Sequence, residues 1–163
     1  MRSVNGVVTG LVVDVNDPEA LGRIRVSFPW MAESEPRSTW ARIAAPMSGP
    51  ERGFFFLPEV DDEVLVAFEH GDLRFPYVLG SLWNGRQQPP HAEPSRRTIE
   101  TVSGHVLEFE DAGGGERISL RFRGDTPSIT LEAERITIAF GAGTSIELDA
   151  QGVKLIGPRI ELN

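Results

Sequence analysis

One short unit recurs six times in the C-terminal part of the chain, and this repeat restricts the fold more than any other feature. Each unit is an aliphatic, a polar and an aliphatic residue in succession. Because residues i and i+2 of a strand point to the same side, each unit presents two aliphatic side chains to one face and a polar one to the other. The repeat therefore predicts a series of short β-strands that share one apolar face.

Two arrangements can cover such a face. The strands are too short for one chain to wind a parallel β-helix, whose coils take about 20 residues. Three chains can instead form an intertwined trimeric β-helix in which each supplies one wall of a prism. The alternative is an antiparallel meander packed on the rest of the chain, and periodicity alone leaves both open. In the trimer the axial aliphatic residues are Ile118, Leu120, Ile129, Leu131, Ile136, Ile138, Ile146, Leu148, Val153, Leu155, Ile160 and Leu162.

The N-terminal part predicts a different β-structure, with longer and less regular strands. Turn residues bound five strand candidates, at residues 4–15, 23–28, 40–45, 63–68 and 77–83. Five strands in this length suit a small closed barrel of the OB-fold type, which leaves no sheet edge exposed. Trp30, Trp40, Trp83 and most phenylalanines lie here, which predicts the larger apolar core in this part. The fold class is therefore all-β, with a five-stranded OB-fold barrel followed by a β-helical needle.

A segment with three prolines separates the two parts. Pro89, Pro90 and Pro94 favour an extended spacer, and no apolar periodicity interrupts it. We predict an OB-fold domain at residues 1–85, a linker at 86–95 and a spike at 96–163.

Composition excludes several functional classes. The 163 residues contain no cysteine, so neither a disulfide framework nor a thiol nucleophile is available. The net charge of −8 argues against binding to nucleic acid. No apolar run is long enough to span a membrane, and the first residues lack the pattern of a secretory signal. We expect synthesis in the cytoplasm without a signal peptide.

Several segments resemble a known family. In the N-terminal part these are residues 6–18, 21–26, 40–42, 58–66 and 71–85, which include Asn16-Asp17-Pro18 and Leu21-Gly22-Arg23. They resemble the phage baseplate assembly protein V family. In the C-terminal part Ser103-Gly104-His105, Glu110-Asp111 and Glu116-Arg117-Ile118 are similar to the neck of type VI secretion spike proteins, the valine-glycine repeat protein G family.

This resemblance implies a structural spike, a cell-puncturing needle at the centre of the baseplate of a contractile injection system. It favours the homotrimer over the packed meander. It also implies a separate hub protein at the OB-fold end, since no hub domain precedes Val4, and a PAAR-repeat tip protein at the C-terminal end. Such a protein is incorporated in the baseplate of an injection particle or virion tail, and it meets a target membrane only on firing. The residues predicted to bind the tip protein are Ile160, Glu161, Leu162 and Asn163.

No catalytic residue, metal ligand or cofactor is predicted, so we expect a protein that is not an enzyme. His70 lies in an acidic turn, His91 is expected to be solvated, and His105 is expected to form hydrogen bonds at the start of the needle. Glu108 and Glu110 share a strand face and are expected to be solvated partners of the alternating apolar residues. The spacer is too short to hold the lysozyme domain that some phage spikes carry.

Two other functions remain open at the sequence level. One is an OB-fold binding module for single-stranded nucleic acid or oligosaccharide, which the acidic composition disfavours. The other is an envelope hydrolase that uses an unrecognised pair of carboxylates.

Overall fold

The chain forms two compact units, Met1–Gln88 and Pro89–Asn163. The structure is a computed structural model and describes residues 3–31, 38–159 and 161. Within those residues both units consist of β-strands, with single 3-10 turns at Glu69–Gly71 and Arg123–Asp125. No helix in the described part of the chain is long and apolar enough to cross a membrane.

The first unit contains a curled five-stranded sheet and a small hairpin. Its strands are β1 (Val7–Asp14), β2 (Arg25–Ser27), β3 (Arg42–Ile43), β4 (Ser48–Gly49), β5 (Arg52–Gly53), β6 (Glu63–Phe68) and β7 (Pro76–Ser81). The sheet has the order β2-β1-β6-β7-β3, in which only the β3–β7 pair is parallel. The β4–β5 hairpin falls where the sequence predicts only a loop.

The curled sheet closes on itself next to its two outer strands. Ile24 precedes β2 and Ala41 precedes β3, and the two residues form an antiparallel bridge. The Ile24 backbone N–H donates to the Ala41 carbonyl at 3.1 Å, and the Ala41 N–H donates to the Ile24 carbonyl at 2.7 Å. This contact joins both edges of the sheet, which confirms the predicted OB-type barrel.

The buried core lies inside this barrel, as predicted, but tryptophan does not form it. Alternate residues of the strands point inward because of the two-residue period of the pleat. The buried apolar residues are Val12, Ile24, Val26, Phe28, Ala41, Val64, Val66, Phe68 and Val78. Trp83 is 71% exposed, since it follows the end of β7, where no neighbouring strand covers it.

Asp17 and Arg23 hold the loop between β1 and β2. The buried carboxylate of Asp17 accepts hydrogen bonds from the backbone N–H groups of Glu19 and Leu21, at 3.1 and 3.0 Å. Arg23 donates to both carboxylate oxygens, at 2.9 and 2.7 Å. These bonds keep the pKa of Asp17 far below its usual value. The Asn-Asp-Pro and Leu-Gly-Arg motifs therefore build a turn.

The second unit is one seven-stranded antiparallel sheet. Its strands are β8 (Arg96–Glu100), β9 (Val106–Glu110), β10 (Arg117–Arg121), β11 (Ser128–Glu132), β12 (Arg135–Ala139), β13 (Ser145–Asp149) and β14 (Gly152–Ile156). Among the described strands of this unit each pairs with the next one in the chain, so β8 and β14 are the two edge strands. Five of the six predicted repeat units lie in β10 to β14, and Ile160 and Leu162 of the sixth lie outside the described residues.

The expectation from the sequence is a β-helix in which three chains intertwine. The strand pairing in this sheet differs from that expectation in which strands are neighbours. Every described ladder joins strands that are consecutive in the same chain. The reason is that short turns such as Ala133-Glu134 and Ala150-Gln151 return the chain beside the strand it has just formed. The backbone hydrogen bonds of the six described ladders are thus made within one chain.

We predict that Gly10→Ala destabilises the barrel, because the chain at the end of β2 approaches β1 closely at this glycine. A Cβ atom at Gly10 comes within 2.8 Å of the Ser27 carbonyl oxygen and also overlaps the side chain of Val26. The expected loss is about 1–3 kcal/mol in the free energy of unfolding, measured by urea titration. Gly80→Ala is the matched control, since it lies in β7 with open space around it. Equal stabilities of the two variants would contradict the close approach at Gly10.

Candidate oligomerisation surface

The repeated aliphatic residues form one continuous surface, which we call the apolar face. Across each ladder the aliphatic residues of neighbouring strands stand directly opposite one another. One row contains Phe109, Ile118, Leu131, Ile136, Leu148 and Val153. A second row contains Ile99, Leu107, Leu120, Ile129, Ile138, Ile146 and Leu155. The structure therefore brings together the ten predicted axial residues that lie in β10–β14.

Within one chain the apolar face is open. Leu120 is 51% exposed and Val153 is 66% exposed, and most of the other members of the two rows are also exposed. Contiguous apolar patches of more than a few hundred Å² are rare on monomeric soluble proteins and mark interaction surfaces. The face is thus the surface of the second unit that most requires a partner.

Two phenylalanines extend the apolar face beyond the residues that the sequence analysis identified. Phe122 directly follows β10 and Phe140 directly follows β12. They lie two residues beyond Leu120 and Ile138, so the strand alternation continues to them. The sequence shows this alternation, but the repeat unit was defined by three residues only and therefore did not include the two phenylalanines. Leu107 and Phe109 belong to the alternating pattern that the sequence shows before the first repeat unit, but neither they nor Ile99 were included in the predicted axial set, because all three precede that unit.

The opposite face of the sheet carries charged residues, which we call the charged face. Glu108 and Glu110 of β9 are buried there, which corrects the expectation that they are solvated. Arg121 donates to Glu108 at 3.1 Å, and the Nε of Arg96 donates to Glu110 at 2.6 Å. Cross-strand neighbours on a pleated sheet come within reach of long side chains, so the arginines of β8 and β10 cover both carboxylates.

Both carboxyl groups are held in the ionised form. The hydrogen bond from Arg121 lowers the pKa of Glu108. The hydrogen bond from Arg96 lowers the pKa of Glu110 to about 2. A glycosidase acid needs a raised pKa so that it stays protonated at neutral pH. This pair therefore lacks the proton donor that a hydrolytic dyad requires.

The three histidines occupy unrelated environments. His70 lies in the 3-10 turn before β7. His91 was expected to be solvated, but the structure places its Nε2 2.8 Å from the Thr98 hydroxyl on the charged face. The His105 ring packs on Phe122 with a centroid distance of 4.4 Å. Among residues 3–31, 38–159 and 161, no group of histidine and carboxylate side chains has the geometry of a metal site.

The first unit exposes a run of three phenylalanines. Phe54, Phe55 and Phe56 follow the β4–β5 hairpin, and Phe55 is 75% exposed. The Phe54 and Phe56 rings stack with their centroids 6.4 Å apart. Aromatic side chains in this number on a surface are typical of protein–protein contacts.

Two family models match the chain. The family described as the Type VI secretion system/phage-baseplate injector OB domain matches residues 8–83. The family described as the Phage baseplate V C-terminal trimerisation domain matches residues 97–160. The second match contains the whole apolar face.

Curated relatives are similar to a large part of the chain. The type VI secretion system spike protein VgrG3 of Vibrio cholerae is 34% identical over 115 residues, which cover 64% of this chain and 11% of that protein. The actin cross-linking toxin VgrG1 of Vibrio cholerae is 33% identical over 115 residues, which cover 64% of this chain and 10% of that protein. The spike protein VgrG5 of Pseudomonas aeruginosa is 27% identical over 156 residues, which cover 88% of this chain and 20% of that protein. The chain thus spans a fifth or less of the length of these relatives.

We predict that the ion pair of Glu110 contributes stability that is lost in acid. Its pKa in the folded state is about 2, below the usual value of 4.5. The contribution is therefore complete above pH 4.5 and disappears as the pH falls towards 2. Glu110→Gln should unfold at a lower temperature than the wild type at pH 7, and this difference should shrink steadily towards pH 2. Circular dichroism melts measure both.

The control for this experiment is Glu100→Gln, which alters an exposed carboxylate on β8. Its melting temperature should follow the wild type at every pH. A difference for Glu110→Gln that stays constant from pH 7 to pH 2 would contradict the role of the ion pair.

Proposed function

Since this chain belongs to the phage baseplate V family of type VI secretion and phage injector proteins, we propose that it is a structural spike. It acts as a homotrimeric, cell-puncturing needle at the centre of the baseplate of a contractile injection system. The observation that carries this proposal is the apolar face, whose two rows are continuous from β9 to β14 and lie within the trimerisation domain.

Three copies of the apolar face can cover one another completely. A sheet that is apolar on one side must bury that side against another layer. When three sheets form the walls of a prism, their apolar faces meet on the common axis and their charged faces point outward. We therefore assign the axis to Ile118, Leu120, Ile129, Leu131, Ile136, Ile138, Ile146, Leu148, Val153 and Leu155, and we extend it to Ile160 and Leu162.

The proposed mechanical role follows from this geometry. Each wall is held by continuous backbone ladders within one chain, and the three walls are held together by the apolar axis. Bending the needle must distort ladders in all three walls and separate side chains on the axis at the same time. Stiffness of this kind is what a needle requires when a contracting sheath drives it through an envelope.

Two exposed surfaces support the two proposed partners. The exposed Phe54–Phe56 run supports a hub protein at the OB-fold end. At the other end β14 is an edge strand in which all five residues are exposed, and edge strands need protection. This supports a PAAR-repeat tip protein beyond β14. Of its four predicted contact residues, Glu161 is described and exposed, whereas Ile160, Leu162 and Asn163 lie outside the described residues.

We propose no catalytic role for these 163 residues. The actin cross-linking relative is a toxin by name, and the region it shares with this chain covers only 10% of its length. The buried carboxylates Glu108 and Glu110 are neutralised by arginines. Their side chains serve the folding of the sheet.

We predict that Ile138→Asn weakens the trimer. Three amides then lie on the axis, and each costs about 1–3 kcal/mol if its hydrogen bonds to water are not replaced. The trimer association constant should fall at least about 100-fold. Light scattering during size-exclusion chromatography measures it, with the wild type eluting at three times the mass of one chain.

Thr137→Asn is the matched control, because it introduces the same amide at the neighbouring position on the charged face of β12. It should remain trimeric. A wild-type protein that is monomeric at micromolar concentration would overturn the proposed function, and equal effects of the two variants would overturn the axial assignment.

We also expect this chain to be located at the baseplate end of the tail of an injection particle. An epitope-tagged copy in the phage or bacterium that encodes it should be labelled at the baseplate end of the tail in electron micrographs. Replacing the wild-type gene by the Ile138→Asn variant should reduce injection. Labelling along the sheath would contradict the placement at the centre of the baseplate.

A further inference from the structure

We propose that neighbouring protomers interlock through the two rows of turns at the opposite ends of their strands, with Phe122 and Phe140 of one protomer seated between the turns of the next. Each row of turns forms one side edge of a wall of the prism, distinct from the edge strands β8 and β14. The aromatic edge is the set of turns at residues 101–105, 122–127 and 140–144. The alanine edge is the opposite set, at residues 111–116, 133–134 and 150–151. This inference rests on the proposed trimer and identifies the residues that join its walls.

Threefold symmetry requires unlike edges to meet. A rotation of 120° carries one wall of a prism onto the next, so the right edge of each wall adjoins the left edge of its neighbour. Such an interface is heterologous and closes into a ring after three copies. The two edges must therefore be complementary to each other, whereas neither needs to match itself.

The aromatic edge projects large side chains. Phe140 is 70% exposed and Phe122 is 48% exposed, and both continue the alternation of the apolar face. The ring of His105 supports Phe122 from the adjacent turn. An open apolar groove beside them is lined by His105, Leu120, Phe122, Pro127, Ile129 and Ile138.

The alanine edge provides space in the corresponding places. Its turns contain the small residues Ala133 and Ala150, and a groove runs along them. Ile136 and Leu148 line the inner side of this groove, where the apolar face begins. The same groove is also lined by Glu132, Glu134, Arg135 and Asp149. A phenyl ring that enters between the two alanines can therefore contact Ile136 and Leu148 on its apolar side, with charged side chains around its rim.

The turns of the two edges are offset along the needle. In a meander, consecutive turns alternate between the edges, so each turn lies one strand spacing, about 4.8 Å, from the next turn on the other edge. Phe140 lies in the turn between β12 and β13. On the alanine edge that level falls between the turn at 133–134 and the turn at 150–151, beside the Arg135–Asp149 pair. Large residues on one edge thus face gaps on the other.

Phe122 follows the same rule one repeat earlier. It lies between β10 and β11, a level that falls between the turns at 111–116 and 133–134 on the alanine edge. The ladder pair at this level is Arg117–Glu132. Two phenylalanines thus face equivalent gaps one repeat apart on the same interface.

The inference can be tested by disulfide cross-linking, because the chain contains no cysteine. The test variants are Ala133→Cys/Phe140→Cys and Ala150→Cys/Phe140→Cys. Within one chain the two positions lie at opposite ends of a five-residue strand, about 17 Å apart, which is too far for a disulfide. Oxidation should therefore link neighbouring chains, and at least one variant should give a covalent trimer on a denaturing gel.

The same-edge variant Phe122→Cys/Phe140→Cys is the matched control. These positions are two strands, about 10 Å, apart in one chain and should not meet between chains. Each variant is first examined by light scattering under reducing conditions. A trimer in which neither unlike-edge pair links, or in which the same-edge pair links, overturns the interlock but leaves the spike proposal intact. A monomer overturns both.

Discussion

The alignment of apolar residues across the five consecutive ladders from β9 to β14 is the constraint on which the second unit depends. Each pairing places an aliphatic side chain directly opposite another, so the two rows run without interruption from β9 to β14. A slip of one residue in any ladder moves that strand's aliphatic pair to the charged face. The strand register is therefore the one that keeps the apolar face continuous. Covering this face removes apolar surface from water, which makes association favourable.

The two units bury their apolar residues in different ways. In the first unit the sheet curls until the segments beside β2 and β3 meet at Ile24 and Ala41, so its valines lie inside one chain. In the second unit the strands return through short turns and the sheet has two free edges, β8 and β14. The buried apolar cluster of the described residues is confined to the first unit. The first unit buries its apolar core within a single chain, whereas the apolar face of the second unit is exposed in a single chain.

The charged face has its own structural role. Burial of Glu108 and Glu110 is tolerated because Arg121 and Arg96 supply hydrogen bonds at 3.1 and 2.6 Å. An unpaired carboxylate at either position carries the full cost of lost hydration. These pairs give each side of the sheet a distinct character, so that only one side favours association.

The sequence by itself determined the all-β class, the change of strand pattern near the proline segment and the side to which each repeated aliphatic residue points. All three follow from local rules, namely turn residues and the two-residue period of a strand. Tertiary structure decided the rest. Burial of Glu108, exposure of Trp83 and the contact of His105 with Phe122 depend on which strands become neighbours, and that information is not local. The pairing of β10 to β14 within one chain was likewise decided by turn geometry in space, since alternation alone fits a strand with partners from any chain.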